Sequence, residues 1–241
     1  MAGEVASLVI PAYNEAPRIE NGIRSAAKWA AERPGGLDWE VILVDDGSTD
    51  GTADIARRSA ESERLALRIV GYRPNRGKGA AIREGVLASS GDPVLVSDAD
   101  LSTPLSEFAK LAAPLATHPV AIGSRAIDEN LVRRRQPRHR VLLGKLGNGM
   151  IQLFAVPGIR DTQCGFKLFR RDAAKTLFGE ARVERFAWDV EILYLARRAE
   201  IPIAEVPVLW FNSPESKVRV VRDALQTLWD VLRIRWMHRR D

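Results

Sequence analysis

The sequence predicts one α/β domain in which a mostly parallel central sheet carries helices on both faces. Strand signals alternate with amphipathic helix signals through the first 125 residues, which is the pattern of successive β-α-β units. Several of these strands run directly into polar clusters, as expected where a parallel sheet presents its ligand-binding edge. A chain of 241 residues suits a single domain with a short appendage.

The strands of the first half are predicted from short β-branched or apolar runs bounded by turn residues. They cover residues 5–10, 40–44, 67–72, 94–97 and 120–123. The intervening helices are predicted from apolar residues at helical spacing, over residues 18–31, 52–62, 78–89 and 105–115. The second of these helices follows Asp50 and Gly51, residue types that favour a helix start.

The alternation weakens after residue 125. We predict a helix over residues 142–154, a short element over 165–169, a helix over 187–198, a strand over 204–211 and a last helix from residue 217. The chain is therefore divided into residues 1–125, 126–216 and 217–241, with the second part packed on the first as a lid of the same domain.

The composition is that of a soluble globular protein, with 46% hydrophobic and 28% charged residues. The single cysteine, Cys164, excludes a disulfide framework and suits a reducing compartment. No signal peptide and no spanning segment of about 18 apolar residues are recognised. These observations predict a cytoplasmic protein, peripheral to the membrane at most.

The net charge of +5 is concentrated in two segments. Residues 131–145 carry six basic side chains and no acidic one, and residues 217–241 carry seven basic against three acidic. Two basic patches on a mildly acidic body predict an anionic partner at defined places, and we expect that partner not to be a nucleic acid.

The last predicted helix is amphipathic. Its apolar positions recur at three- and four-residue spacing, at Val221, Leu225, Leu228, Leu232 and Trp236. A basic helix that also carries Trp229 can lie in an anionic membrane interface. It can equally dock on its own domain, and both interpretations stay open.

The Asp98-Ala99-Asp100 segment is the strongest chemical signal. Two carboxylates at the end of a buried strand form a site for Mg²⁺ or Mn²⁺, which take oxygen ligands and share them with substrate phosphates. Three further polar clusters, residues 11–15, 45–52 and 75–79, are expected at the same edge of the sheet. Their convergence predicts a nucleoside-diphosphate site.

Other chemistries lack their residues. The turn after the first strand contains no G-x-G-x-x-G, which excludes a dinucleotide fingerprint, and Gly77-Lys78-Gly79 lacks the glycine spacing and hydroxyl of a P-loop. Three scattered histidines and one cysteine do not make a zinc site.

Taken together, these segments resemble family-2 glycosyltransferases of the A-type fold. Residues 123–125, 161–167, 186–191 and 216–217 narrow the likeness to polyprenyl-phosphate sugar synthases, and within them to dolichyl-phosphate β-glucosyltransferases. The resemblance implies that residues 1–125 bind a nucleotide sugar, 126–216 bind the acceptor, and 217–241 form the basic amphipathic helix.

The resemblance also implies roles for individual residues. Asp100, with Asp98, is expected to hold the metal. The residues expected to contact the nucleotide sugar are Pro11, Ala12, Tyr13, Glu15, Asp46, Lys78, Asp98, Ala99, Asp100 and Gln163.

The implied acceptor is a polyprenyl phosphate, either dolichyl or undecaprenyl phosphate. A phosphate monoester is already ionised at neutral pH, so the reaction needs cations more than a general base. The candidate phosphate clamp consists of Arg125, Arg133, Arg134, Arg135 and Arg138.

Catalytic roles are expected for Asp100, Arg125, Asp189 and Glu191. Asp189 and Glu191 either contact sugar hydroxyls or, with a hydroxyl acceptor, supply a general base. A purely structural role, for example pairing with Arg185 or Lys167, stays open as well. UDP-glucose is the expected donor from the likeness alone. GDP-mannose, and a polysaccharide hydroxyl as acceptor, stay open as alternatives.

Overall fold

A computed structural model describes residues 4–133, 149, 151–152, 155–211, 229–231 and 233–239. Arg134, Arg135 and Arg138 of the expected clamp lie outside these residues, as do most of the predicted helix over residues 142–154 and the first part of the last helix. The functional division at residues 125 and 216 stays a prediction.

The described residues form a seven-stranded sheet in the order β3-β2-β1-β4-β7-β5-β8. All neighbouring pairs are parallel except those of β7, which lies antiparallel between β4 and β5. The strands are β1 Val5–Ala12, β2 Asp38–Asp45, β3 Leu67–Gly71, β4 Val94–Val96, β5 Val120–Ser124, β7 Lys167–Phe169 and β8 Ile203–Pro207. A separate two-stranded ribbon pairs β6 Val132–Arg133 with β9 Trp210–Phe211. The predicted mostly parallel α/β fold is confirmed.

Helices cover both faces of the sheet. They are α1 Ala16–Ala31, α2 Thr52–Ser62, α3 Lys78–Ala88, α4 Phe108–Ala112, α5 Arg171–Glu180 and α6 Trp188–Arg198. Short 3₁₀ turns flank α4, at Leu105–Glu107 and Ala113–Ala116, where one continuous helix was predicted. Pro114 stands inside that predicted helix and cannot donate a helical hydrogen bond.

Two further differences concern the second half. Helix α5 was not predicted, although its buried residues Ala173, Ala174, Leu177 and Phe178 recur at helical spacing. The predicted strand over residues 204–211 divides into β8 and β9, which belong to different sheets.

The two faces of the sheet form separate apolar cores because successive side chains of a strand point to opposite faces. In β1, Val9 packs with α3, α5 and α6, whereas Leu8 and Ile10 pack with α1, α2 and α4. Each of these three strand residues is at most 1% exposed.

The C-terminal segment, residues 229–231 and 233–239, docks on the first of these cores. Val231 and Ile234 are fully buried within it, and residues 229–231 and 233–237 are helical. Trp229 and Trp236 are 65% and 71% exposed, so neither ring belongs to the face of the segment that docks on the domain. Within the described residues, we find no helix with the length and apolarity needed to span a membrane.

Candidate active site

The expected site residues meet at the edge of the sheet where the parallel strands end. Strand β1 lies between β2 and β4, and the chain order reverses there, so the crevice beyond these carboxyl ends is the place where such sheets bind ligands. Because β7 is antiparallel, it contributes its amino end and the loop before it to this same edge.

The turn after β1 is held by the turn after β2. The backbone N–H of Asn14 donates to Ser48 Oγ (2.9 Å), that of Glu15 to Thr52 Oγ1 (2.8 Å), and that of Ala16 to an Asp50 oxygen (3.0 Å). The polar side chains of the turn after β2 therefore serve as acceptors for the backbone of the turn after β1. They give the crevice one rigid wall.

The nucleotide-sugar residues expected in the first of these turns differ in exposure. Pro11 and Ala12 belong to β1 and are buried, while Tyr13 is 42% exposed at the mouth. The Glu15 carboxylate is buried and accepts from Arg18 Nη2 at 2.9 Å. Tyr13 is therefore the side chain of this group most open to a ligand.

Asp46 is 2% exposed and holds the basic turn, residues 75–77. One of its carboxylate oxygens accepts from the N–H of Arg76 (2.8 Å), and the other accepts from Asn75 Nδ2 (2.6 Å) and the N–H of Gly77 (2.8 Å). Contact between Asp46 and a nucleotide base, as the resemblance implies, stays a prediction. What the geometry assigns to Asp46 is the shape of the turn that leads into α3.

Lys78, the first residue of α3, forms an ion pair with Asp98, with 2.5 Å between Nζ and Oδ1. Burial raises the pKa of the Asp98 carboxyl, but the positive charges of Lys78, Lys167 and Arg125 together leave that pKa lowered. Gly165 packs directly on this carboxylate, since a Cβ there would lie 2.4 Å from Asp98 Oδ2. Asp98 is thus an ionised group compensated within the protein, in a crevice where 35% of its side chain is exposed.

Asp100 lies two residues further, beyond the buried Ala99. Its Oδ1 accepts from the N–H of Ser102 at 3.0 Å, and Leu101 adopts a left-handed conformation with φ of 47°, which turns the chain back at this point. Asp100 is partly exposed.

The two carboxylates fit a Mg²⁺ or Mn²⁺ ion of the kind expected. No group of three or more His, Cys, Asp or Glu side chains suited to a metal is found among the described residues. Mg²⁺ commonly binds through one or two carboxylates together with substrate phosphates rather than in an all-protein cage. Since Lys78 occupies Asp98, the donor set points to Asp100 as the principal protein ligand.

Arg125 follows β5 and is locked to Asp161. Its Nε lies 2.7 Å from Oδ2 and its Nη2 lies 2.8 Å from Oδ1, and its backbone N–H also donates to Oδ2 at 2.9 Å. Burial raises the pKa of Asp161, but Arg125 outweighs it and holds that pKa below its usual range. The guanidinium carbon also lies 5.4 Å from the Trp210 ring centroid. The Asp161 carboxylate on one edge and the Trp210 ring on one face hold the guanidinium in a fixed orientation.

Asp189 is the second residue of α6 and is 5% exposed. Burial raises the pKa of its carboxyl to about 6, although the positive charge of Lys167 opposes that rise. Lys167 is fully buried, donates to the carbonyl oxygens of Thr162 (3.1 Å) and Cys164, and lies 5.3 Å from the Trp188 ring centroid.

Glu191 does not share the surroundings of Asp189. Both of its oxygens are taken, by the N–H groups of Arg182 (2.9 Å) and Val183 (2.8 Å) and by His238 Nε2 (2.8 Å). Its side chain is fully buried. These contacts give Glu191 a role inside the protein, and its catalytic role stays a prediction.

Two further expected residues that the structure describes are at the surface. Gln163, in the loop before β7, is exposed, as is Arg133 at the end of β6. Their roles in binding stay predictions.

Three residues of the site were not predicted. Lys167 belongs to the motif over residues 161–167, but that motif does not predict that its charged side chain is buried. Trp210 lies under Arg125, and Glu205 accepts from the N–H groups of Arg160 (2.9 Å) and Asp161 (2.7 Å). The signal for Lys167 was available, because it is the one charged residue in the run Phe166 to Phe169.

The sequence matches the family model of Glycosyl transferase family 2 over residues 7–178. The dolichyl-phosphate beta-glucosyltransferase of Dictyostelium discoideum is 36% identical, over 96% of this chain and 74% of that protein. The human dolichyl-phosphate beta-glucosyltransferase is 38% identical, over 95% of this chain and 74% of its own length.

Solved structures share the fold. Mannosyl-3-phosphoglycerate synthase from Rubrobacter xylanophilus superposes with a TM-score of 0.69 at 20% identity, over 96% of this chain and 72% of that one. The mannosyltransferase PcManGT from Pyrobaculum calidifontis, solved with GDP-Man and Mn²⁺, gives 0.67 at 24% identity, over 95% and 64%. These likenesses confirm the A-type glycosyltransferase fold. With the family match over residues 7–178 and relatives of 36% and 38% identity, the chain is a glycosyltransferase that belongs to family 2.

Proposed function

We propose that this enzyme transfers glucose from UDP-glucose to a polyprenyl phosphate, such as dolichyl or undecaprenyl phosphate, with a divalent metal. The relatives that cover most of the chain are dolichyl-phosphate beta-glucosyltransferases. The observation that carries the proposal is the Arg125 guanidinium, whose Nε and Nη2 are oriented by Asp161, at the same sheet edge as the two acids after β4. An anion-binding cation beside a diphosphate site suits an acceptor that is itself a phosphate.

In this proposal the acceptor phosphate binds at Arg125. Its ionised oxygen attacks the anomeric carbon, and the bond from that carbon to the donor diphosphate breaks in the same step. No proton has to be removed from a phosphate monoester, whose second pKa lies near 6. One in-line displacement inverts the anomeric carbon, so an α-linked donor gives a β-linked product.

The donor diphosphate binds between Lys78 and Asp100. The metal, held by Asp100 and assisted by Asp98, neutralises charge on the leaving diphosphate when it is bound. Lys78 already pairs with Asp98, and this contact holds its ammonium group in place at the start of α3.

The C-terminal segment brings this site to the membrane that holds the acceptor. Trp229 and Trp236 are exposed, and Arg233 and Arg235 are exposed between them. Aromatic rings interleaved with basic side chains favour an anionic lipid interface. The proposed location is therefore the cytoplasmic surface of a membrane, with peripheral attachment.

A hydroxyl acceptor, such as a growing polysaccharide, is the second candidate. The observation in its favour is the pKa of Asp189 near 6, which suits a general base working near neutral pH. The two candidate acceptors differ in how much the substitution Asp189→Asn should lower the rate of transfer. Loss of a general base lowers the rate by roughly 10²- to 10⁴-fold, whereas we expect a phosphate acceptor to tolerate the change within roughly tenfold.

The deciding experiment is transfer of radiolabelled sugar to undecaprenyl or dolichyl phosphate. UDP-glucose and GDP-mannose are supplied separately with Mg²⁺ or Mn²⁺, and wild type is compared with Asp100→Ala. Asp172→Asn is the matched control, because Asp172 is 74% exposed on α5.

Lipid-linked glucose that is lost with EDTA and with Asp100→Ala, but kept with Asp172→Asn, supports the proposal. Lipid-linked mannose would keep the reaction and replace the donor by GDP-mannose. Donor hydrolysis with no lipid product from either donor would reject the phosphate acceptor.

A further inference from the structure

A continuous set of hydrogen bonds joins the C-terminal segment to the turn that carries Lys78. We infer that Glu191 and His238 are positioning residues for donor binding, through which docking of the C-terminal segment sets the place of Lys78. This inference rests on the proposed function only in taking Lys78 as part of the donor site.

The first link is the buried pair of His238 and Glu191. Their side chains are both 0% exposed, with 2.8 Å between Nε2 and Oε1. Glu191 Oε1 already accepts from the N–H of Arg182, and we assign the imidazole Nε2 as a second donor to the same oxygen. The residues are 47 positions apart, so the contact forms only when the C-terminal segment is docked.

The second link runs from Glu191 to the support loop, residues 182–185. Its two oxygens accept from the N–H groups of Arg182 and Val183, at 2.9 and 2.8 Å. These N–H groups lie ahead of α6, and the carboxylate fixes the loop's conformation at its beginning. His238 shares Oε1 with Arg182, so loss of the imidazole leaves that oxygen buried with one donor fewer.

The third link joins the support loop to the start of α3. The N–H of Ala80 donates to Glu184 O at 2.9 Å, and that of Gly79 donates to Arg185 O at 3.2 Å. These two N–H groups belong to the first turn of the helix, which lacks partners within it. The support loop therefore acts as the cap of α3.

The fit between loop and helix leaves no room for slippage. A Cβ at Gly77 would lie 2.6 Å from Glu184 O, and one at Gly79 would lie 2.4 Å from Val183 O. Lys78 stands between these two glycines, and its Nζ reaches Asp98. Displacement of the loop is thus passed on to the cation that faces the donor.

Two further bonds hold the C-terminal segment at this place. Arg182 Nη1 donates to Met237 O (2.8 Å), and Arg198 Nη1 donates to His238 O (2.6 Å). The opposite side of the segment exposes Trp229 and Trp236. One short segment therefore has a face turned to the outside and a face connected to the donor site.

The inference is tested with the full chain carrying His238→Leu or His238→Gln. The glutamine amide nitrogen can replace Nε2 as a donor to Glu191, whereas leucine fills the space and donates nothing. The probe is UDP with Mn²⁺, with affinity measured by calorimetry, the Tm measured alongside, and the KM for polyprenyl phosphate measured by transfer.

We expect His238→Leu to weaken UDP binding roughly tenfold, the usual scale for leaving a buried charged acceptor short of a donor. His238→Gln should stay within roughly twofold of wild type, and the acceptor KM should hold in both. The control is Leu111→Ala, a fully buried position of α4 on the other face of the sheet. It should lower the Tm without weakening UDP binding.

The inference is overturned if His238→Leu lowers the Tm but binds UDP as wild type does. It is also overturned if Gln and Leu weaken binding equally, or if Leu111→Ala weakens it as much for the same loss of Tm. If the wild-type protein binds GDP but not UDP, GDP replaces UDP as the probe, and the same three comparisons decide the inference. Wild-type protein that binds neither nucleotide overturns the proposed function as well.

Discussion

Substitution of Asp189 by Asn should stabilise the protein, and more so as the pH rises. The pKa of this carboxyl is raised from 3.8 to about 6, chiefly by burial. The folded protein therefore holds the proton more tightly than the unfolded chain, and its stability falls as the pH rises through the window between these values. Asn has the shape of the neutral acid and never ionises.

The size of the effect follows from the two pKa values. At pH 8 the ionisation costs the folded state about 3 kcal/mol, and at pH 5 it costs about 1.5 kcal/mol, at 1.36 kcal/mol per unit of pKa difference. The Asn variant should gain these amounts over wild type, because Asp189 is 5% exposed and solvent screens it little.

Urea denaturation at pH 5, 6.5 and 8 measures both proteins, with Asp172→Asn as the control for loss of an exposed acid. The control should change by less than about 0.5 kcal/mol at each pH, as exposed surface substitutions usually do. The reasoning is refuted if the Asn variant gains no free energy of unfolding at pH 8, or gains the same amount at pH 5 and pH 8. Either result would show that ionisation of Asp189 does not destabilise the folded protein.

Three other substitutions test separate contacts. Gly165→Ala places a Cβ 2.4 Å from Asp98 Oδ2, so the affinity for UDP, measured by calorimetry, should fall at least tenfold. An affinity equal to that of wild type would show that Asp98 can move without loss of binding. Arg125→Lys keeps the charge but loses the two parallel hydrogen bonds to Asp161. It should lower the free energy of unfolding by roughly 2 kcal/mol and raise the acceptor KM. An unchanged KM would show that Arg125 does not bind the acceptor. Gly85→Ala places a Cβ 2.4 Å from Val9 Cγ1, and urea denaturation should show a loss of roughly 1–3 kcal/mol from overpacking, with activity kept at low temperature.

The sheet was predictable because its strands are local signals. The first strand extends two residues beyond the prediction, since Pro11 and Ala12 continue the register opposite Val44 and Asp45. The antiparallel β7 could not be foreseen in orientation, because three residues with no hairpin turn beside them carry no sign of their direction.

The candidate site was predictable as a meeting of motifs but not as a set of pairs. That residues 11–15, 45–52 and 98–100 share an edge follows from strand order. That Asp46 holds a turn 30 residues away, and that Glu191 turns from the site to His238, depends on tertiary packing. Buried charges such as Lys167 run against residue preference, so their partners have to be seen in the fold.

The place of β7 has a consequence for how the chain folds. Within the described part of the chain, strand β5 pairs with β7 and β8 alone, and both follow it by more than 40 residues. During synthesis β4 and β5 are made early, but each keeps an open edge until residues 167–169 arrive to join them. Pairing between strands that are far apart in the sequence is slow. Until β7 has paired with β4 and β5, their unpaired edges favour aggregation. A truncated chain that ends near residue 125 should therefore need a chaperone rather than fold as a smaller enzyme.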